Sequence, residues 1–355
     1  MRMVPLGLIV LLMVGPMAGC LGSEDGTEPL VVLTYSAFDG DDEIIDAFTN
    51  ATGIDVELVR VENSAAILER AMQTAGTDRF DVLLGLDTAY APIALDAGLL
   101  MEHDATLPEL ALLSEPRHDP DRLVPFDQGY VCLNYDSSYA NGTDVPVPTS
   151  LWNLTEPQWE GKVAVPSPLG SSPGRVFLAA TTQMPVDGNR TWTDWWAAMH
   201  ANDLILTSGW SQAYEMHYSA GYGVWEAGHI GDARAVLSYC HSPGAEAYWG
   251  GGSTSSRALD VPGGTMLQVE YAGIVAGSDA TEDARAFLEH LLTSDVQRTF
   301  PETNVMYPVL DGMGLPEGAY TNSSIIPNDP VILQADQIHS EMTQWIEAWN
   351  DAVGT

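Results

Sequence analysis

Short apolar runs alternate with amphipathic stretches in the N-terminal part of the chain. Residues 30–35 and 80–87 are nearly continuous apolar runs, which is the pattern of strands buried on both faces. Between them, residues 62–72 repeat apolar side chains at helical spacing, and Ser64 is the predicted N-cap. This order of strands and helices predicts an α/β fold with parallel-rich sheets flanked by helices.

Polar side chains follow the predicted strands. Tyr35 and Asp87 end two of these strands, and Asn63 and Ser64 follow the strand predicted between them. In open α/β sheets, ligands bind beyond the carboxyl ends of the strands. We therefore expect these four residues to lie near a binding site.

Two segments are predicted to cross between two lobes. Residues 123–135 are long for one buried strand and carry polar residues in their middle, and residues 268–275 form a second candidate. They predict a discontinuous lobe 1 of residues 29–127 and 270–355, and a lobe 2 of residues 128–269. A cleft between lobes joined in this way can close on its ligand by a hinge.

The N-terminus has the features of a lipoprotein signal peptide, predicted to cover residues 1–19. Arg2 precedes an apolar run too short to span a bilayer, and Met17-Ala-Gly-Cys20 resembles a lipoprotein processing site. Cys20 would become the lipidated N-terminus, followed by a flexible polar tether over residues 20–28. These features predict an extracytoplasmic protein anchored to the outer face of the cell membrane.

The chain is strongly acidic. It carries 13 basic and 49 acidic residues, which gives a formal net charge of −36. Such a field repels nucleic acid and concentrates cations near the protein. A solvated acidic coat explains the same composition without a role in binding. We expect no nucleic-acid partner.

Cys132 and Cys240 remain in the predicted mature chain. They lie far apart in sequence, and no Cys-x-x-Cys or Cys/His spacing typical of zinc occurs. Export permits a disulfide between them but does not require one. We expect two separate, small, buried thiols and no metal site.

Two stretches contain candidate ligand contacts. Residues 207–214 place Trp210 in a Gly/Ser turn, and an apolar run over 236–239 leads into Tyr239, Cys240, His241 and Ser242. Aromatic rings at such positions can form the two walls of a slot for a flat cation. Core packing explains the same pattern when it is taken alone.

A third candidate precedes a predicted helix. Ser172 is the predicted N-cap, with Pro173 at the first helical position. The free N–H groups at such a helix terminus favour an anion. A plain helix cap is the alternative interpretation.

The chain resembles the thiamine-binding proteins of ABC importers over roughly residues 30–350. The resemblance depends on several strings in one order, namely Val-Leu-Leu-Gly-Leu-Asp at 82–87, Val-Pro-Phe-Asp-Gln-Gly-Tyr at 124–130, Gly-Trp-Ser-Gln-Ala-Tyr at 209–214, Leu-Ser-Tyr-Cys-His-Ser-Pro at 237–243, Leu-Gln-Val-Glu at 267–270 and Met-Tyr-Pro-Val at 306–309. It implies the two-lobed periplasmic-binding-protein-like fold (type II). It also implies thiamine or its phosphates as ligand and an ABC transporter permease as partner, without a cofactor.

The resemblance also implies roles for individual residues. Rings would stack on the ligand, polar groups would bind its edge, and serines at a helix terminus would take a phosphate. The implied contacts are Asn63, Ser64, Asp87, Ser171, Ser172, Trp210, Tyr239, Cys240, His241, Ser242 and Tyr248, with Asp127 as the alternative to Asp87 for the exocyclic amine.

Three positions depart from the family pattern. The family commonly has Asp-Gly at Asn63-Ser64, Thr-Thr at Cys240-His241, and an aromatic residue at Val305. These departures bear on the affinity and on the preferred phosphorylated form more than on the class of ligand.

Two other functions fit a fold of this kind. A ferric-ion receptor would favour anionic oxygen donors such as adjacent tyrosines, and no Tyr-Tyr pair occurs. A thiamine-degrading enzyme would need a cysteine nucleophile, for which Cys132 and Cys240 are the candidates. Neither lies in a recognisable Cys/His/acid arrangement, so no catalytic residue is predicted.

Overall fold

The fold was analysed in a computed structural model that describes residues 28–113, 119–221 and 231–354. The predicted signal peptide, the lipidation site Cys20 and the tether up to residue 27 lie outside the described residues. Within the described part, no helix is long and apolar enough to cross a membrane.

Within the described residues, ten strands form one mixed sheet, and the predicted apolar runs supply its interior. The strands are β1 (Leu30–Tyr35), β2 (Val56–Val61), β3 (Val82–Asp87), β4 (Val124–Asp136), β5 (Val163–Pro166), β6 (Ile205–Thr207), β7 (Ala235–Tyr239), β8 (Ser256–Leu259), β9 (Met266–Ile274) and β10 (Tyr307–Pro308). The main order is β2-β1-β3-β9-β4-β7-β5-β6, and β8 and β10 pair with β4.

Helices cover the faces of this sheet. The α-helices are α1 (Ala47–Thr52), α2 (Ser64–Gln73), α3 (Ala91–Asp96), α4 (Ser172–Thr181), α5 (Trp192–Ala201), α6 (Ser242–Trp249), α7 (Thr281–Leu291), α8 (Ser294–Thr299), α9 (Ala319–Ser323) and α10 (Ala335–Val353). Asp41–Asp46 and Gln212–His217 are short π-helical turns, and Leu151–Thr155 and Pro157–Trp159 are 3-10 turns.

The central strands β4 and β9 connect the two ends of the sheet. Residues 124–131 of β4 pair with β9, and residues 131–135 pair with β7. β9 in turn pairs with β3 over residues 270–274. Both segments predicted to cross are therefore paired strands at the centre of the sheet, and the parallel strands β1, β2 and β3 lie beyond β9.

One part of the chain packs differently from its predicted lobe. Helix α10 was expected in lobe 1, but Ile338, Met342, Trp345 and Trp349 lie in the core formed by the middle of the chain, beside α4 and α5. Its apolar stripe covers Trp196, whose ring centroid lies 5.9 Å from that of Trp349. The lobe boundaries themselves remain a prediction.

The predicted helix caps are each one residue too late. Asn63, not Ser64, is the N-cap of α2, because its backbone is extended and its Oδ1 accepts a hydrogen bond from the Ala66 N–H at 3.0 Å. Ser171, not Ser172, is the N-cap of α4, with Ser172 as the first helical residue. Both serines predicted as caps are therefore free to use their hydroxyl groups elsewhere.

Cys132 and Cys240 form a disulfide, so the prediction of two separate thiols is wrong. Cys132 lies in β4, which pairs with β7, and the Cys240 N–H that follows β7 donates to the Tyr130 carbonyl at 2.8 Å. This pairing brings the two Cα atoms to 4.9 Å, within the range that a disulfide spans.

Candidate functional site

A cavity of about 420 Å³ lies beyond the carboxyl ends of β1 and β2. Its walls come from seven separate parts of the chain, and the lining residues fall within 35–39, 62–64, 171–173, 208–216, Tyr239, Glu270 and 303–306. This volume is within the range of small-molecule sites in proteins. The cavity therefore lies at the place where polar residues follow the strands, as expected from the sequence.

Trp210 forms one aromatic wall of the cavity. Its ring is stacked on Tyr214 with a centroid distance of 4.8 Å and an interplanar angle of 13°. Behind this stack, the Tyr214 hydroxyl donates to Glu246, which also accepts from the Thr254 hydroxyl at 2.8 Å. Burial raises the pKa of Glu246 to about 8. Trp210 is therefore held from behind by a buried polar network.

Tyr239 forms a second aromatic wall. Two serines connect it to Trp210: the Trp210 Nε1–H donates to the Ser238 hydroxyl at 2.8 Å, and the Ser238 and Ser242 hydroxyls lie 2.9 Å apart. The Tyr239 N–H donates to the same Ser242 hydroxyl at 3.2 Å. The two walls are thus fixed relative to each other by β7 and the first residue of α6.

The N-terminus of α4 reaches the cavity opposite α2. Ser171, Ser172 and Ser64 all line the wall, and the Ser172 hydroxyl donates to the Ser64 hydroxyl at 2.8 Å. Ser171 is 2% exposed, and its buried hydroxyl has no hydrogen-bond partner among the described residues. A buried hydroxyl without a partner at a helix N-terminus is suited to a polar or anionic ligand group.

The floor of the cavity contains a buried carboxylate, Glu270. It accepts a hydrogen bond from the Tyr35 hydroxyl at 2.7 Å and one from the Gln268 side-chain amide at 3.1 Å. The Asn304 amide donates to Tyr35 at 2.9 Å and to Asp127 at 2.6 Å. A connected set of polar side chains therefore lies beneath the aromatic walls.

Burial dominates the electrostatics of this floor. It raises the pKa of Glu270 to about 8, although the hydrogen bond from Tyr35 opposes the shift. Burial also raises the pKa of Asp127, and the adjacent Glu270 charge raises it further. Asp87 shows the same effect, since burial raises its pKa to about 6 against hydrogen bonds from the Tyr90 and Ala89 N–H groups. An entering cation would lower all three values.

His241 supports the wall from behind and does not line the cavity. It is fully buried, its ring is stacked on Tyr239 at 5.3 Å, and its Nε2–H donates to the Val305 carbonyl. Burial lowers the pKa of His241 to about 4, so the imidazole is neutral. Val305 lines the cavity with φ of 55°, a conformation that strains a β-branched residue. His241 therefore fixes a strained turn beside Tyr239.

The structure separates the predicted contacts into two groups. Asn63, Ser64, Ser171, Ser172, Trp210 and Tyr239 line the cavity. The other predicted contacts do not line it and their contact with a ligand stays a prediction, namely Asp87, Cys240, His241, Ser242 and Tyr248. Asp87 is capped beneath the wall by backbone N–H groups, Cys240 is in the disulfide, and Tyr248 lies at the exposed end of α6.

Several residues of the wall were not among the predicted contacts. Glu270, Asn304, Glu62 and Ser208 come from segments far apart in sequence. The sequence gives a reason to single out Glu270, because burying an acidic residue in an otherwise apolar strand is costly unless the residue has a binding partner. No such reason applies to Asn304. Among the described residues, no group of three or more His, Cys, Asp or Glu side chains is arranged to hold a metal ion.

The fold and the cavity together define a two-lobed receptor of the type II periplasmic-binding class. The chain belongs to the bacterial extracellular solute-binding protein family, whose model matches residues 41–303. It is similar to the thiamine-binding periplasmic protein of Salmonella typhimurium, with 27% identity over 328 residues, or 91% of this chain and 93% of the relative.

Solved structures show the same fold. A periplasmic thiamin binding protein is 27% identical and superimposes with a TM-score of 0.77, covering 91% of this chain and 96% of the other. The iron-bound HitA protein from Pseudomonas aeruginosa has a TM-score of 0.67 at 18% identity, covering 91% and 99%. The chain is thus a solute-binding protein. The similarity to HitA shows only that the two proteins share a fold.

Proposed function

We propose that this protein captures thiamine in the cavity between Trp210, Tyr239 and Glu270, and delivers it to an ABC transporter permease. The observation that supports this most strongly is the combination of two fixed aromatic walls with a carboxylate floor in one cavity. Two proteins that are each 27% identical to this chain and match over 91% of it are named as thiamine-binding proteins.

The chemistry of thiamine matches these groups. Its thiazolium ring carries a permanent positive charge, and its aminopyrimidine ring is flat. An aromatic face attracts a cation by about 0.5–2 kcal/mol. The Trp210 and Tyr239 rings supply such faces, while Glu270 supplies the opposite charge. Asn63 and Ser64 lie at the polar edge of the same cavity.

The phosphorylated forms of thiamine are proposed as further ligands. Ser171 and Ser172 lie at the N-terminus of the ten-residue helix α4, where backbone N–H groups point outward. The hydroxyl of Ser171 has no partner within the described chain, so it is available to a phosphate oxygen. Such a site needs no lysine, and the only lysine of the chain, Lys162, precedes β5.

The location follows from the N-terminal features. We propose that Cys20 is lipidated after removal of residues 1–19, so that the receptor stays at the outer face of the membrane beside its permease. Globomycin treatment, which blocks lipoprotein signal peptidase, should then leave an uncleaved form. A Cys20→Ala variant should likewise keep residues 1–19, and continued removal of these residues from the variant would contradict the anchor.

Calorimetric titration tests the ligand. Purified protein is titrated with thiamine, its monophosphate, its pyrophosphate and ferric ion in separate experiments. We expect saturable one-to-one binding of at least one thiamine form and none of ferric ion. Binding of ferric ion alone would overturn the proposal. Mass spectrometry of the recovered thiamine checks the remaining alternative, since fragments in place of the intact vitamin would indicate an enzyme.

A further inference from the structure

We propose that Asp87, Glu270 and Asp127 form a carboxylate row that neutralises the positive charge of the ligand and releases one proton when the ligand enters. This inference rests on the proposed function, since it assumes a cationic solute. It assigns Glu270 as the residue that selects for charge, a role separate from that of the aromatic walls.

The three carboxylates lie side by side on adjacent strands. Asp87 of β3 is directly opposite Glu270 of β9, and Glu270 is directly opposite Asp127 of β4. Directly opposite residues point to the same face of a sheet, with Cβ atoms about 4.5–5.5 Å apart. Glu270 reaches the cavity wall, while Asp87 and Asp127 are fully buried on either side of it.

Only neutral groups are paired with Glu270 and Asp127 in the row. Glu270 accepts from Tyr35 and Gln268, and Asp127 accepts from Asn304. Over the described residues, no ion pair joins Glu270 or Asp127 to a basic side chain. The Arg175 charge lowers the pKa of Asp87, whereas no basic side chain in the described part of the chain affects the pKa of Glu270 or Asp127. Glu270 and Asp127 therefore lack a counter-charge within that part.

Two buried polar atoms beside Glu270 have no hydrogen-bond partner among the described residues. The Gln268 side chain is fully buried, and its Oε1 has no hydrogen-bond partner within the described residues, although its Nε2 contacts both Glu270 and the Tyr239 hydroxyl. The Asp127 Oδ1 is unpaired in the same part of the chain. Leaving such atoms buried and unpaired is energetically costly.

Adjacent buried carboxylates do not ionise together without a nearby positive charge. Before binding, Glu270 and Asp127 therefore hold at least one proton near neutral pH. When the cation arrives, the carboxylic O–H bond breaks, its electron pair stays on the oxygen, and the proton leaves to solvent. The other titratable groups that act on the row are Tyr35 of β1, Tyr239 of β7 and Arg175 of α4. Both tyrosines stay neutral because burial raises the pKa of each well above its usual range.

The test is calorimetry with unphosphorylated thiamine, so that no phosphate group titrates. Titrations at one pH in buffers of different ionisation enthalpy give the number of protons released. We expect about one proton per ligand, and an affinity that rises up to about tenfold per pH unit near neutrality. In Glu270→Gln the release should fall towards zero and the pH dependence should flatten. The control Glu347→Gln, at an exposed position of α10, should behave like the wild type.

The outcomes separate this inference from the proposed function. Thiamine binding without proton release, or full release by Glu270→Gln, would overturn the inference and leave the proposed function standing. If the wild type binds thiamine at no pH tested, the proposed function is overturned, and this inference with it. If Glu270→Gln does not fold, the pH dependence of the wild-type affinity for thiamine is the test. An affinity that is independent of pH would contradict the release of a proton on binding.

Discussion

The Ser172 hydroxyl donates a hydrogen bond to the Ser64 hydroxyl at 2.8 Å, although 108 residues separate them. A second contact of this kind joins Ser208 to Glu62 at 3.0 Å. Each pair connects the segment after β2 with the middle of the chain across the mouth of the cavity. The two sides of the cavity therefore touch directly.

Ser64→Ala should weaken binding of every thiamine form by a similar factor. The substitution removes a hydrogen bond between the two sides, worth about 1 kcal/mol or roughly fivefold in affinity. Stopped-flow measurement should place most of this loss in the dissociation rate. Unchanged dissociation rates for all forms would show that the contact does not contribute to closure.

Ser171→Ala should act on the phosphorylated forms alone. Its hydroxyl has no partner in the described chain, so only a ligand group loses a bond. A hydrogen bond to a charged group is worth about 1.5–3 kcal/mol, which is more than tenfold in affinity. Calorimetry with free thiamine is the internal control. Equal losses for free and phosphorylated thiamine would refute the phosphate assignment.

Trp210→Ala should weaken thiamine binding at least tenfold, because it removes one aromatic wall and exposes the Tyr214 ring behind it. Circular dichroism should show an unchanged fold, since Trp210 lies at the cavity wall and is only half-buried. Trp249→Ala is the matched control, because that ring is exposed at the end of α6. A loss of similar size in the control would argue against a specific wall.

Glu246→Gln should change how stability depends on pH. Burial raises the folded-state pKa of Glu246 to about 8 from a usual value near 4.5, so the folded state prefers the protonated acid. Its contribution to stability is full below pH 4.5 and is lost as pH rises towards 8, by at most about 1.4 kcal/mol per pH unit. Denaturant unfolding between pH 5 and pH 8 should show a shallower decline in the variant. Parallel profiles would contradict the buried, protonated state.

Removing the disulfide should lower stability by about 2–4 kcal/mol, because the bond closes a long loop in the unfolded chain. The bridge joins residues 108 positions apart. Cys132→Ala with Cys240→Ala is the appropriate variant, and its melting temperature should match that of reduced wild-type protein. Reductant should have no effect on the variant. A wild-type melting temperature that ignores reductant would mean that the thiols are free.

The local parts of this structure were predictable from sequence. Apolar runs identify β1, β3, β5 and β7, since the strands of a covered sheet are apolar on both faces. Trp210 and Tyr239 were recognisable because each lies where a regular segment begins or ends. The serines at the N-terminus of α4 follow from the same argument, apart from a shift of one residue in the cap.

The long-range parts were not predictable in the same way. The disulfide depends on the register of β4 against β7, which no local pattern reports. Helix α10 is amphipathic, and its stripe fits any apolar surface, so its placement on α5 was not visible. The position of Asp87 outside the cavity wall was not visible either, because it depends on the turn after β3, in which its carboxylate accepts from the Ala89 and Tyr90 N–H groups.

Strand β4 runs for thirteen residues through the centre of the sheet and is bonded to β9 over much of its length. We expect a receptor whose halves are joined by paired strands to open by bending of these strands and not by rotation about a loop. The amide hydrogens of residues 128–131 should then resist exchange with deuterium in the filled and the empty protein alike, while those around Ser64 and Ser208 become protected only in the filled one.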